Sequence, residues 1–575
     1  MITDVTRRSL LVALVLATAV MSAGPLFAAE KAKQPNVILV MTDDQGYGDI
    51  RAHGNDVIIT PALDKMHGES VRLTNYHVDP TCSPTRSALM TGRYSDRVGV
   101  WHTIMGRSIL WADEKTMGDV FQAGGYRTGV FGKWHLGDTY PFRPQDRGFD
   151  EVLVHGGGGV CQTPDYWDNN YFDDTYYHNG KPEKQEGYCT DVWFDAAIKF
   201  IEQSKKEGKP FLAYIPTNAP HGPLLVAEKY AKMYEGKKVN AKFCGMITNI
   251  DENMAKLRKK LKELGLEKNT ILIFTTDNGT AGGRFNAGMK GHKGSEYDGG
   301  HRVPCFFYWP DGGLTGGRDV ARLTAHMDML PTLIDLCGLK KPKGVKFDGM
   351  SIAPLLRGND KNWPDRELIV ESQRIDHPTK WRKCAVMTDR WRLVNGKELY
   401  DMQSDPGQAK NVAAEHPDVV ERLRKVYDNW WADVSKNHDK YAHIVIGNDA
   451  ENPATITCHD WHGPKVPWNH GHIRSGTAAN GFWAIRVDRD GTYEFELRRW
   501  PKEKNAPINE GPGIQAQKAR LVIGEVDETV PVKTGDIAAR FKVKLKAGKT
   551  RLQTYFIGEG DKSRGAYYVY VKRVE

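Results

Sequence analysis

Cysteine is scarce in this chain, with 8 residues among 575. That is too few for a scaffold stapled by disulfides. Internal repeats and low-complexity tracts are lacking as well, which excludes collagen-like and disordered classes. Beyond the first 29 residues no run of 18 apolar residues occurs, so no membrane-spanning helix is expected. Concentrated charge of one sign is also missing. Lys+Arg number 80 against 72 Asp+Glu, a balance of +8 spread along the chain. Such a surface suits an anionic small molecule or polysaccharide but lacks the basic stripe of a nucleic-acid binder. What is present, 40% hydrophobic and 26% charged residues, is the composition of a soluble globular protein of roughly two to four domains.

Residues 1–29 read as an export signal. Arg7 and Arg8 precede an apolar stretch from Leu10 to Val20, and small residues follow, Ser22-Ala23-Gly24 and then Ala28-Ala29. The stretch falls short of the ~20 residues that cross a bilayer. An exported protein, periplasmic or secreted and without a stable membrane anchor, is therefore expected. Thr6-Arg7-Arg8-Ser9-Leu10-Leu11 is also similar to a twin-arginine signal.

Asn36-Val-Ile-Leu-Val-Met-Thr42 is continuously apolar and ends in Asp43-Asp44. A short run of this kind fits a strand buried on both faces of a parallel sheet. Similar runs recur at Tyr126–Phe131, Phe211–Ile215, Thr270–Thr275 and Pro304–Trp309, with helical patterns at Asp191–Ser204 and Val239–Leu264 between them. The alternation predicts an α/β fold with a mostly parallel central sheet sandwiched by helices, over residues 30–361. Reactive groups in such sheets gather beyond the carboxyl ends of strands. Asp43-Asp44 and Asp277-Asn278 both occupy that position.

Residues 362–440 change texture, with short strand-like pieces followed by a helical segment at Pro417–Val434. They read as a smaller sheet-plus-helix subdomain. From 441 to 575 the pattern is β. Phe541–Lys546 and Lys549–Phe556 alternate on a period of two across Ala547-Gly548, and Tyr493, Phe495 and Leu497 alternate likewise. An appended antiparallel β-sandwich that contacts carbohydrate is expected there.

The most specific segment is Cys82-Ser83-Pro84-Thr85-Arg86, followed by Ala88-Leu-Met-Thr-Gly-Arg93. With this signature the chain, over about residues 35–410, resembles the formylglycine-dependent sulfatases, an arylsulfatase-type family of the alkaline-phosphatase superfamily. The resemblance implies that Cys82 is oxidised to formylglycine by a modifying enzyme that reads the motif. A hydrated aldehyde carries two hydroxyls. One attacks sulfur and displaces the alcohol, and deprotonation of the other then expels sulfate by C–O cleavage, so the enzyme is not trapped as a stable sulfate ester. Pro84 and the run Arg86–Met90 indicate that a helix begins here, its first amides facing the incoming anion.

Asp43, Asp44, Asp277 and Asn278 offer hard oxygen ligands, suited to Ca²⁺ or Mg²⁺ rather than zinc. A single Asp-Asp pair after a strand is ordinary turn chemistry. Two such pairs together with the Cys82 motif point to a cation site. The family resemblance implies that these four residues and the converted Cys82 hold a divalent cation, usually Ca²⁺.

Gly132-Lys133-Trp134-His135-Leu136-Gly137 and Pro220-His221-Gly222-Pro223 match family segments. They imply Lys133 and His135 in a sulfate pocket and His221 near the leaving oxygen. In the stretch from Lys290 to Arg302 the family lysine lies five residues before an acidic residue, which selects Lys293 over Lys290. Asp298 stands where the family usually has Glu. Arg86 is expected to stabilise the converted Cys82 and the metal carboxylates, His221 or Lys293 to act as acid, and His135 as base.

Gly156–Gly159 reads as a flexible turn. The aromatic stretch Gln162–Phe172 suits either stacking on sugar rings or an ordinary exposed loop. Trp461, His462, Trp468, His470 and His472 read as a sugar-binding surface or an interdomain seam. Glu398–Asp401 with Asp405–Asn411 is expected to be structural. Seven cysteines besides Cys82 leave at least one free thiol. The expected substrate is a sulfated carbohydrate or an aryl sulfate. Alternatives are a phosphomonoester or phosphonate hydrolase of the same superfamily and a non-catalytic glycan-binding protein.

Overall fold

The computed structural model describes residues 34–283 and 285–575. The export segment expected at 1–29 lies outside the described residues. At the centre of a ten-stranded sheet the strand Asn36–Thr42 lies between Phe211–Pro216 and Thr270–Thr276, parallel to both. Its apolar run is uninterrupted because both faces are covered. Val37, Leu39 and Met41 pack on one side with Leu89 and Met90 of the helix Cys82–Thr91 and Leu333 of Met329–Leu336. Ile38 and Val40 pack on the other with Ile201 of Cys189–Lys206 and Met246 and Ile250 of Ala241–Glu263. The expected α/β sandwich is thus present.

Arg127–Lys133 and Glu151–His155 extend the parallel centre. Antiparallel pairs flank this centre on both sides, so the sheet is mixed. Cys305–Tyr308, expected within the parallel set, runs against Thr270–Thr276. Parallel return needs a crossover long enough to bring the chain back to the same end. Between these two strands the only helix among the described residues is the four-residue Asp298–His301. The connection starts and finishes at one end of the sheet, where Gly279 N donates to Gly300 O, so the chain re-enters from the end it left. At the other margin Thr175–His178 and Lys181–Lys184 form an antiparallel hairpin whose outer strand is fully exposed.

Leu368–Glu371, Cys384–Met387, Trp391–Val394 and Glu398–Asp401 make a four-stranded antiparallel sheet. The helix Pro417–Val434 packs on it through Val420, Leu423, Tyr427 and Val434. Beyond residue 441 two further sheets, of six and four strands, enclose one core. The strands on either side of Ala547-Gly548 do not form the hairpin their alternation suggests. Ala539–Leu545 pairs with Gly491–Arg498 in one sheet, and Gly548–Ile557 pairs with Phe482–Val487 in the other. Each buries its own alternate set, Phe541 and Val543 or Leu552 and Phe556, in the shared core. Period-two patterning fixes which face is buried but not which sheet a strand joins.

Leu39→Ala opens a cavity at the centre of the main sheet and is expected to cost about 2–5 kcal/mol, read as a lower unfolding midpoint in urea. Lys184→Ala on the exposed outer strand is expected to change stability by less than ~0.5 kcal/mol.

Candidate active site

The carboxyl ends of the parallel strands deliver the site. Asp43 and Asp44 follow Thr42, Asp277 follows Thr276, and Lys133 closes its own strand. Onto this row the helix Cys82–Thr91, buried over its whole length, projects its first residue. Thr81 before it is extended, and Gly92 ends it in the left-handed region at φ 69°. Ligand atoms of Asp43, Asp44, Cys82 and Asp277 all lie within 4.8 Å of one another. Asn278 Nδ2 donates to Asp44 Oδ1 at 2.9 Å, while Asn278 Oδ1 is buried without a hydrogen-bond partner.

Crowding three buried carboxylates demands cations, and the structure supplies them. Lys133 Nζ lies 2.5 Å from Asp43 Oδ2, with both side chains wholly buried. Arg86 Nη2 lies 2.7 Å from Asp277 Oδ2, and its Nη1 donates to Lys133 O at 3.0 Å. Lys293 Nζ pairs with Asp44 Oδ1 and stands 3.4 Å from Cys82 Sγ. Lys290 instead sits over the Tyr297 ring and donates to Tyr400 Oη, so the register that selects Lys293 is the one adopted.

The balance is uneven. Burial, reinforced by Asp277, pushes the Asp43 carboxyl up to about 8. Burial also pushes Asp44 upward, but Lys293 and His221 outweigh it and hold that carboxyl below its ordinary range. Burial opposes the charge of Lys293, yet Asp44 and Cys82 keep it above the usual ammonium range. The Cys82 thiol is pushed up to about 12 by burial and then by Asp43. Left as a thiol it would be a poor nucleophile at neutral pH. Three convergent carboxylates, an amide oxygen without a donor and a carboxyl poised far above its normal range form a donor set that fits a hard divalent cation.

The two histidines differ. His135 has a left-handed backbone at φ 61°, and its Nε2–H donates to Thr103 O at 2.8 Å. In the neutral ring Nδ1 is then unprotonated, and it is buried without a partner. Burial, followed by the charge of Lys133, holds His135 well below the usual imidazole range. His221 stands at the rim with 20% of its side chain exposed, its Nε2 3.9 Å from Asp44 Oδ2. Its Nδ1–H donates to Gly222 O at 2.7 Å. Tyr171 Oη donates to His221 O at 3.0 Å, a positioning contact that spacing alone did not reveal.

Gly156–Gly159 is no flexible turn. A side-chain carbon on Gly156 would lie 2.2 Å from Pro164 O, one on Gly158 2.2 Å from the His135 ring, and one on Gly159 3.4 Å from the His221 ring. The four glycines form a close backbone wall against both histidines. Asp138 Oδ1 accepts from Gly157 N, and Gln162 Oε1 from Gly158 N. The aromatic stretch after them is largely packed in, with Tyr166 and Phe172 half-buried and Asp168 and Asn170 exposed. Trp167 packs on His470 and Trp500, and Tyr171 is fully buried. Trp461 is buried against Trp483 in the sandwich core, and His470 belongs to the seam between sandwich and catalytic part. His459 bonds Gln162 Oε1 at 3.2 Å, and its ring lies 6.3 Å from that of His135. Asp298 is buried on Arg392 at 2.9 Å and anchors the lysine loop. Asn411 Oδ1 accepts from Leu399 N, in keeping with a structural role for that segment. All eight cysteines are free.

Comparison with known proteins places this geometry. The family model Sulfatase matches residues 35–339, and N-sulphoglucosamine sulphohydrolase, C-terminal, matches residues 292–430. N-acetylgalactosamine-6-sulfatase of Mus musculus is 30% identical over 376 residues, 60% of this chain and 71% of the relative. Arylsulfatase A of Homo sapiens is 28% identical over 73% of this chain and 90% of its own. Among solved structures, Ps i-CgsB in complex with k-i-k-neocarrahexaose superposes with a TM-score of 0.65 at 27% identity, covering 72% of this chain and 95% of that one. The match over residues 35–339 spans more than half of the chain and takes in every element that carries the buried cluster, so this chain belongs to the sulfatase family and is a sulfuric ester hydrolase.

Proposed function

We propose that this chain removes sulfate from monoesters on a sulfated carbohydrate, with Cys82 converted to formylglycine by a modifying enzyme during export. The observation that carries this reading is the position of Cys82 Sγ, 3.4 Å from Lys293 Nζ and 3.5 Å from Asp43 Oδ1 in a buried carboxylate cluster. Conversion of Cys82 to a hydrated aldehyde supplies a nucleophilic hydroxyl and a second hydroxyl whose deprotonation releases sulfate. Asp43, Asp44, Asp277 and Asn278, with the converted residue, would hold Ca²⁺, Mg²⁺ being the other candidate, and the ion when bound supplies Lewis-acid polarisation and countercharge.

The remaining roles follow from proton positions. Lys293 holds its proton and stands beside the reacting side chain, so it is the acid for the departing ester oxygen. His221 stands at the rim. Burial pushes it down to about 4, and its Nδ1–H is committed to Gly222 O. Its neutral ring therefore offers no proton from Nε2, and the donor role falls to Lys293. The unprotonated, unpartnered Nδ1 of His135 is the base for the second hydroxyl. Arg86 keeps Asp277 ionised, and Lys133 holds Asp43 in register. The division at 30–361, 362–440 and 441–575 assigns chemistry to the first part. The sandwich buttresses the pocket wall through His459 and Gln162 and contacts the glycan. A relative named N-acetylgalactosamine-6-sulfatase and a neighbour in complex with k-i-k-neocarrahexaose support a carbohydrate substrate.

Cys82→Ala is expected to lower kcat by about 10³-fold or more while leaving circular dichroism and the unfolding midpoint unchanged. Mass analysis of the 82–86 peptide from active enzyme should show the aldehyde, and an untouched thiol in fully active protein would refute the mechanism. Lys293→Ala is expected to cost about 10²–10⁴-fold on sugar sulfates, and far less on 4-nitrophenyl sulfate, whose leaving group needs no proton. Exhaustive chelation should abolish sulfate release and lower the unfolding midpoint. Readdition of Ca²⁺ or Mg²⁺ in parallel would show which ion restores both.

A further inference from the structure

The loop of residues 372–383, between the strands Leu368–Glu371 and Cys384–Met387, carries a guanidinium to the mouth of the site. Arg374 is exposed, and its backbone lies in the left-handed region at φ 46°. A residue other than glycine holds that conformation only where its surroundings impose it. Here they do. Arg374 N donates to buried Trp101 O, and Asp376 ties the loop to Arg107 at 2.9 Å and to His462 of the sandwich at 3.3 Å. With Asp376 thus engaged, no carboxylate pairs with Arg374 among the described residues. A side-chain carbon built on Gly294 would lie 3.8 Å from Arg374 Nη1. Gly294 directly follows Lys293, whose ammonium stands 3.4 Å from Cys82 Sγ. The unpaired guanidinium therefore lies against the loop that carries Lys293.

His102 completes the surroundings. Its Nδ1 accepts from Thr103 N at 2.6 Å, so the neutral ring carries its proton on Nε2. Burial and then the charge of Arg374 push His102 down to about 3, with Arg382 acting in the same direction. An anion would find at Arg374 an unpaired guanidinium beside the loop that carries a lysine. A planar guanidinium matches a carboxylate or a sulfate through two parallel hydrogen bonds.

We propose that Arg374 forms a subsite for a second anionic group of the substrate, a carboxylate or a further sulfate near the ester that is cleaved. This rests on the reading of the chain as a glycan sulfatase and narrows its substrate to glycans with closely spaced anions. Nothing in the reacting centre requires that second charge, so the subsite governs selection.

The test compares full-length wild type, Arg374→Ala and Arg374→Lys on three sets of disaccharides. One set has a single sulfate on neutral sugars, one has a sulfate and a uronate carboxylate, and one has two sulfates. In wild type kcat/KM should favour at least one doubly anionic set, and which one identifies the anion. Arg374→Ala should cut that preference about ten- to hundredfold, through KM rather than kcat, and Arg374→Lys should restore part of it. Calorimetric binding of the preferred disaccharide to the Cys82→Ala protein, with and without Arg374→Ala, should show the same loss. A wild type without preference, or a variant that changes every set alike, would overturn the subsite while leaving the sulfatase reading intact. Absence of sulfate release from all three sets by wild type, with the subsite-dependent binding retained, would instead overturn the catalytic reading.

Discussion

Three carboxylates at the ends of adjacent strands cannot all be charged in a dry interior unless cations meet them. The rest of the site is arranged around that constraint. Asp43, Asp44 and Asp277 are brought together because parallel strands point their carboxyl ends the same way. Arg86, Lys133 and Lys293 answer them from a helix, a neighbouring strand and a loop. Removing one member of such a buried set leaves an uncompensated charge. Asp43 is the place where the protein's own cations fall short, and that residual excess is what a bound divalent ion would neutralise.

The charge cluster explains the location of chemistry but not its shape. Shape comes from backbone approach and from the seam. Gly158 lets the main chain lie against His135 at a distance no side chain would permit, and Gly156 does the same against Pro164, while Gly159 borders His221. Gln162 then links this wall to His459 in the sandwich. The C-terminal part, remote in sequence from the cysteine, so fixes one side of the pocket. The 372–383 loop fixes another, since Asp376 is held by both Arg107 and His462. The anion subsite proposed at Arg374 and the chemistry proposed at Cys82 thus belong to different segments.

Much of the fold was legible from periodicity. Continuous apolar runs marked the central strands because both faces are buried, and alternation marked the sandwich because one face is. Pairing direction was less legible. The strand Cys305–Tyr308 looks like its neighbours in composition, yet runs antiparallel because the preceding connection holds no crossover helix. The strands around Gly548 alternate as a hairpin would, yet part into two sheets. Neither outcome is written in hydrophobic pattern, which records burial and not partners.

By itself the sequence marked the candidate reacting set. Cys82 with Pro84 and Arg86, the acidic pairs after two apolar runs, and the spacing that picks Lys293 are local features, readable because each is a short segment with its own chemistry. Only the tertiary structure decided what stands around them. The role of four glycines, the contact of Tyr171 with the His221 carbonyl, the reach of His459 across the seam and the placing of Arg374 beside Gly294 join residues tens to hundreds of positions apart. Such contacts follow from how separate elements pack, and packing is a property of the whole chain.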